Sequence, residues 1–432
     1  MLFEFLRILF GIATFYTLMK KEKLRGEVIN GPKGLPILGN ILEINNETIH
    51  FKFMEYALQF GEIFRFKMLT DNVIVLNSEN FIRKAFGGEK YKRYFGDRRA
   101  MFYGEHFRCH NQSLAYAASG SDLFYRTTRK SYVQALHSSG MQESKNNVMV
   151  EMINLVKRIE EKSEREFECV SMLQRSLSNV MSLDLCGKTL DDNDPDSNLF
   201  WDHVRGNDFF LNAYVNFIMA TLPFLRYLPG KYGDMFRKGK KANAKIAKRY
   251  FYDMKKTYVY GQKRGIVDYF LEEQENQMHL NTEFFFTDDR IIAQLVETID
   301  AGMATTWSAL ANTMLVLLNY PQYQTTIQDE LDMVIGRDRL PTFADRENCK
   351  FFLAFEMEVH RLIPFGYGLR QCPGEMYTKS RYFLYISSLL QRWSFVFPPG
   401  KQRPCDPRST ENFDIELVIR AKPFFCSAKE RQ

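Results

Sequence analysis

The sequence predicts a mainly α protein with small β-sheets, preceded by an N-terminal membrane-anchor segment. Three observations carry that expectation. Residues 81–314 read as mostly helical, with no internal repeat or low-complexity tract. Short alternating stretches near the two ends, 62–76 and 413–419, read as strands. Residues 8–19 form a charge-free, mostly apolar run. The chain has 432 residues, 45% of them hydrophobic and 25% charged, which is ordinary for a globular protein with a large core.

Taken in chain order, the apolar run comes first. Glu4 and Arg7 interrupt its upstream half, and the clean part is shorter than the ~20 residues of a spanning helix. A secretory signal would carry its positive charge before the run and a small-residue cleavage site after it. Here Lys20, Lys21, Lys23 and Arg25 follow the run, which would place the remaining chain on the cytoplasmic side. An interfacial helix is the alternative. Residues 1–30 are thus read as anchor and basic flank, and 31–432 as one functional domain. Gly31, Pro32, Gly34, Pro36 and Gly39 make a stiff, turn-rich hinge. Residues 62–68 and 73–76 then form a hairpin across a turn at 69–72. A long helix is capped by Thr287 or Asp288 and stopped by Pro321, giving a length of ~48 Å. Residues 413–419 alternate as a last strand.

Charge and cysteine usage narrow the function classes. A formal net charge of +6 is mild, and arginine and aromatic residues form no recognisable nucleic-acid module, so no nucleic-acid partner is expected. Residues 231–264 carry most of the basic excess and read as a solvated helical face. Seven scattered cysteines without framework spacing point to a reducing compartment. His106, Cys109 and His110 make half a zinc site with no second pair at ligand spacing. Neither a G-x-S-x-G elbow nor a phosphate-cradling glycine loop is found. The Phe- and Met-rich stretch 209–228 suits lipophilic ligands, core packing or membrane contact.

The most informative stretch is 364–375. Phe365, Gly368, Arg370, Cys372 and Gly374 set one cysteine in a glycine-bracketed loop, two residues after an arginine and just before a helix-forming stretch. A thiolate so placed is suited to metal ligation, tuned by backbone N–H donors; a free cysteine in a surface turn is the other reading. All five residues match F-x-x-G-x-R-x-C-x-G, and the loop resembles the haem-binding loop of the cytochrome P450 family. That resemblance implies a P450-like fold and a haem (iron protoporphyrin IX) cofactor with Cys372 as its axial metal ligand. A thiolate there pushes electron density that favours O–O cleavage. Gly368 would allow the tight turn and Gly374 close backbone approach. Arg370 would neutralise a propionate, and Phe365 would shield the sulfur from water.

Other segments carry the same resemblance. Ala301-Gly302-Met303-Ala304-Thr305-Thr306 is similar to the family's oxygen-binding A-G-x-[D/E]-T-[T/S]. It implies that Thr305 delivers protons and that Gly302 admits a flat cofactor to the helix backbone; close helix packing is the alternative for the glycine. The acid position of the motif is Ala304; Asp300 lies one turn earlier and could lend a proton, but it is not the matching position. Tyr125 and Arg129 resemble W-x-x-x-R, whose arginine binds a haem propionate. Glu358 and Arg361 match E-x-x-R, an ion pair that supports the cysteine loop. Residues 31–40 resemble the proline-rich segment behind the anchor of microsomal members.

One block of the family pattern is absent. Only Leu362 and Ile363 separate Arg361 from Pro364, a reach of at most ~11 Å, where the family holds several dozen residues that include two strands pairing with the early hairpin. The fold is therefore expected to be incomplete, with an exposed hairpin edge. Two functions follow. One is a haem-dependent monooxygenase that takes O2, a lipophilic small-molecule substrate and NADPH electrons through a flavoprotein reductase, at the endoplasmic reticulum membrane. The other is a non-catalytic, membrane-associated remnant with impaired or no haem binding.

Overall fold

A computed structural model describes residues 29–36, 38–43, 48–68, 71–91, 94–117, 123–136, 141–161, 166–190, 194, 196–279, 286–359, 364–401, 409–415 and 418–431. The expected N-terminal anchor, Arg361 and the junction that follows it lie outside the described residues. The chain divides into two units: residues up to 95 with 367–369, and residues 96–366 with 370–432.

In the first unit, helix α1 (Ile49–Phe60) packs on strand β1 (Ile63–Met68), which pairs antiparallel with β2 (Asp71–Leu76). Alternation along β1 buries Phe64 and Phe66 against Tyr56, with the Tyr56 and Phe64 rings 5.6 Å apart. Asp71 and Asn72, expected in the turn, instead pair with Met68 and Lys67, because extending the ladder satisfies their backbone groups. In the stretch 31–40, expected as a hinge, Gly39 forms a bridge to Met68 of β1. Asn40 N–H donates to the Lys67 carbonyl at 2.6 Å, and the Asn40 side chain accepts from Lys67 N–H at 3.0 Å. Gly39 takes φ +62° there, and a Cβ would meet the Lys67 carbonyl oxygen at 2.2 Å, so only glycine fits. Helix α2 (Glu79–Gly87) starts at Ser78, whose hydroxyl accepts from Phe81 N–H.

In the second unit the helices are α3 (Phe102–Phe107), α4 (Leu123–Gln134), α5 (Met141–Glu160), α6 (Cys169–Cys186), α7 (Leu199–Leu211), α8 (Ala213–Thr221) and α9 (Lys231–Ile246). A π-helical stretch, Ala247–Tyr252, leads from α9 into α10 (Asp253–Lys256). Then come α11 (Ile266–His279), α12 (Asp288–Asn319), α13 (Pro321–Val334), α14 (Lys350–Val359) and α15 (Glu375–Arg392). Helix α12 is the expected long one. Thr287 caps it by accepting from Arg290 N–H at 3.3 Å, and Asp288 and Asp289 complement its dipole. Pro321 opens α13 instead of extending α12. By length and composition α12 is able to cross a membrane, but its most apolar window is 67% buried within the protein, packed on α6, α7, α13 and α15, so it is a core helix.

The small sheets differ in detail from the sequence expectation. Strands β3 (Glu166–Glu168), β7 (Phe425–Glu430) and β4 (Trp393–Val396) form an antiparallel sheet in the order β3-β7-β4. The helical reading of 81–314 therefore misses β3, which exists through its partner β7 far along the chain. The expected single strand 413–419 is instead a hairpin of β5 (Phe413–Ile415) and β6 (Ile419–Ala421), paired Ile415 to Ile419. Alternation is the same on both arms of a hairpin, so periodicity alone does not locate the bend.

Among the described residues β2 pairs with β1 alone, leaving the edge that the missing block predicts. Ile74 on β2 is 52% exposed. Ile74→Lys should therefore lower concentration-dependent self-association in light scattering while changing stability by no more than about 0.5 kcal/mol. Unchanged association would contradict an adhesive edge.

Candidate active site

One face of α12 lacks bulk. Glu297, Ala301, Thr305 and Ala309 recur at helical spacing, with Thr298 and Gly302 beside them, and all six line one cavity of about 360 Å³. Opposite stand Phe365, Cys372, Pro373 and Gly374, with Tyr377 and Thr378 from the start of α15. Thus Gly302, Thr305, Phe365, Cys372 and Gly374, the expected site residues on either side, share one cavity. Thr305 is exposed toward it and donates its hydroxyl to the Ala301 carbonyl at 2.5 Å. A Cβ on Gly302 would lie 2.7 Å from the Met181 methyl, so this glycine also lets α6 approach α12.

The cysteine loop is held from within. Cys372 N–H donates to the Phe365 carbonyl at 2.8 Å, and Gly374 precedes α15, its carbonyl accepting from Thr378 N–H at 2.8 Å. Burial raises the Cys372 thiol above its ordinary value; a hydrogen bond from Gly374 N–H and the Arg129 charge act the other way, and Glu375 adds to the rise. Arg129 therefore acts electrostatically on the sulfur. Gly368, grouped with the first unit, has φ +78°, and a Cβ there would lie 2.0 Å from the Phe86 carbonyl oxygen. Its absence of side chain is obligatory.

Arg370 does not line the cavity. Its guanidinium donates to the carbonyls of Gly96 at 2.6 Å, Leu114 at 3.0 Å and Ala117 at 2.7 Å, and lies 4.0 Å above the centre of the Tyr125 ring. These contacts use three of the five N–H donors of a guanidinium, and a hydrogen bond with Tyr125 engages it further. Tyr125, standing where the motif has tryptophan, is the platform under Arg370.

Asp300 is not the substitute acid. It lies five residues before Thr305, about 140° around the helix axis. It pairs with Arg108, accepts from Tyr103 O–H at 2.8 Å, and lies 2.8 Å from His203 Nε2. Ala304 is buried in the core and does not line the cavity. Glu297, which sequence reasoning passed over, is the carboxylate on the face of Thr305, two turns away. Its oxygens accept from Ala115 N–H at 2.9 and 3.1 Å, and burial raises its pKa. The four-residue spacing 297–301–305 was the available signal. Glu356 also lines the cavity and pairs with Arg346 at 2.7 Å. His106 bonds to Arg226 at 2.9 Å and His110 to Glu105 at 2.5 Å, two separate contacts. Beneath the loop, buried Arg381 of α15 pairs with Asp184 of α6 and lies 3.8 Å over Tyr377.

The donor set suits a haem. Among the described residues no group of three or more His, Cys, Asp or Glu gathers as a metal site. A metal held by Cys372 alone must bring its other ligands, as a macrocycle does. The cavity lined by that thiol is also lined by the alanine–glycine step of α12, where little side-chain bulk stands between a ring and the helix backbone. Helical body, small sheets and a single thiol lining a cavity against a long core helix are features of the haem-thiolate class.

Comparison with known proteins agrees. The Cytochrome P450 family model matches residues 29–364 and 354–426. Vitamin D(3) 25-hydroxylase of Sus scrofa and cytochrome P450 2D4 of Rattus norvegicus are each 24% identical over 446 aligned positions, covering 87% of this chain and 88% of theirs. Cytochrome P450 2C70 of Rattus norvegicus is 26% identical over 374 positions, covering 84% of this chain and 73% of its own. The chain belongs to the cytochrome P450 family. Membership brings haem as cofactor, NADPH-derived electrons through a reductase, and monooxygenase chemistry at the level of the family. An alignment of 446 positions takes in 87% of a 432-residue chain, so these relatives hold residues that this chain lacks. The family match comes in two segments that overlap at 354–364.

Arg370→Lys keeps the charge but loses the planar fork that reaches three carbonyls and stacks on Tyr125. It should cost about 2–3 kcal/mol, read as a lower thermal midpoint; an unchanged midpoint contradicts the role. The Asp300 network predicts an acid sensitivity. Burial, and then the Arg108 charge, hold His203 well below the ordinary imidazole value. Its folded pKa lies below its unfolded one, so its contribution is present above about pH 6.5 and is lost as pH falls. His203→Gln should flatten the fall in thermal midpoint between about pH 7 and pH 5.5.

Proposed function

We propose that this chain is a haem-thiolate monooxygenase that places one oxygen atom of O2 into a lipophilic organic substrate. The observation that carries the reading is the cavity itself, with the Cys372 sulfur on one side and Thr305 and Gly302 on the other. Haem, when bound, supplies the oxygen activation and the one-electron chemistry. The remaining roles belong to the chain. Cys372 holds the metal, and Gly374 N–H moderates the charge on its sulfur. Phe365 and Pro373 exclude water from the sulfur side. Arg370 and Arg129 supply positive charge on the side of the cysteine loop, which favours the propionates electrostatically. Thr305 carries a hydroxyl that can turn from the Ala301 carbonyl to hold a proton in the cavity. Apolar lining around these few polar groups suits a lipophilic substrate.

The membrane belongs to the same reading. Residues 8–19 with their basic flank would anchor the chain at the endoplasmic reticulum, with the catalytic body on the cytoplasmic side. Tyr214, Leu222, Phe224, Tyr227 and Leu228, all exposed on or just after α8, are suited to the same surface, whereas Phe210 and Met219 nearby are core.

A second reading has its own support in the absent block. In that reading the chain is a membrane-associated remnant that keeps the helical body and takes up little or no haem. The reduced, carbon-monoxide-bound spectrum separates the two. A thiolate-type Soret band in the wild-type chain, abolished by Cys372→Ser, is the outcome expected of the enzyme. A wild-type chain that takes up no haem overturns it in favour of the remnant.

A further inference from the structure

Helices α7 and α9 cross where two glycines meet: a Cβ on Gly206 would lie 3.5 Å from the Gly239 Cα. So close a crossing leaves the long side chains on either side as walls of a surface groove of about 480 Å³. Arg205 from α7 and Lys238, Lys241 and Lys245 from α9 converge there, the three lysines at helical spacing on one face. Two carboxylates share the groove and each is engaged: Asp196 with Lys245 at 2.7 Å, Asp202 with Arg205 at 2.7 Å. Among the described residues, Lys238 and Lys241 have no hydrogen-bond or ion-pair partner. Two like charges thus stand one helical turn apart beside the half-buried apolar side chain of Met235. The groove is cationic with apolar surface beside the charge, which matches an amphipathic anion rather than a small hydrated one.

The same two helices are joined through α8 and the 3-10 turn Pro223–Tyr227, where the exposed apolar residues stand. We propose that the groove between α7 and α9 binds the headgroup of an anionic phospholipid, with Lys238 and Lys241 on the phosphate and the half-buried Met235 against the first carbons of the lipid. Negative lipid surfaces attract such clusters, and the two unpaired lysines would gain a partner without breaking an existing pair. This inference rests on the membrane-associated reading but not on haem chemistry.

Native mass spectrometry of the full chain, released from an uncharged detergent, tests it. Phosphatidic acid, phosphatidylcholine and inorganic phosphate are each added in turn. One retained phosphatidic acid per chain is expected, with K238Q/K241Q lowering the bound fraction about tenfold. Lys256→Gln, on α10 outside the groove, should leave retention unchanged. Met235→Gln should weaken retention of the lipid. The proposal is overturned if the double variant retains phosphatidic acid like the wild type, or if phosphatidylcholine or inorganic phosphate is held equally well. Running the comparison in a Cys372→Ser background separates it from haem uptake, and pelleting of the same chain with membranes reads membrane association independently.

Discussion

The bare face of α12, opposed by a single thiol, is the constraint on which the second unit depends. A 32-residue helix through a core normally buries all its sides. Here Ala301 and Thr305 remain exposed in mid-helix because a cavity lies against them. Keeping that cavity open requires each wall to be fixed without help from the other. The helix is fixed by its Thr287 cap and by close packing at Gly302 against Met181. The loop is fixed by Gly374 at the head of α15, and α15 is tied to α6 by the buried Arg381–Asp184 pair. Removing one partner from such a pair would leave an uncompensated buried charge, so the tie is costly to break.

Polar chemistry in the unit is divided between two sides of the same helix. The cavity side carries Thr305 and Glu297. The opposite side carries Asp300, consumed by Arg108, Tyr103 and His203. Glu297 and Asp300 are only three positions apart in sequence, yet the helical twist gives them unrelated surroundings. A carboxylate near the family motif is therefore not interchangeable with one in it, and the alanine at the acid position has no substitute in Asp300. The buried side explains an acid sensitivity of folding; the cavity side bears on function.

Much of this was legible in the sequence, for local reasons. Gly368 and Gly39 occupy backbone conformations that side chains resist, so they stand out as glycines in turns. Thr287 and Pro321 bound α12 because caps and stops act within a few residues. Phe64 and Phe66 reveal β1 through alternation. What escaped was non-local. Arg370 satisfies itself on the carbonyls of Gly96, Leu114 and Ala117, more than 250 positions away, and no pattern near Arg370 encodes that choice. Strand β3 is three residues long and exists by pairing with β7. The bend between β5 and β6 is silent in an alternation shared by both arms. The same limit hid the groove between α7 and α9, where a basic run read as a solvated face gains meaning only from the glycine that lets a second helix approach.

The central claim is that one sulfur, Cys372, holds the metal facing α12. Iron-edge X-ray absorption of the chain loaded with haem measures this directly. The account predicts one sulfur scatterer bound to iron in the wild type and its replacement by a lighter atom, or loss of the iron, in Cys372→Ser. Iron bound through nitrogen or oxygen alone in the wild type, or a sulfur signal that survives the substitution, would contradict it.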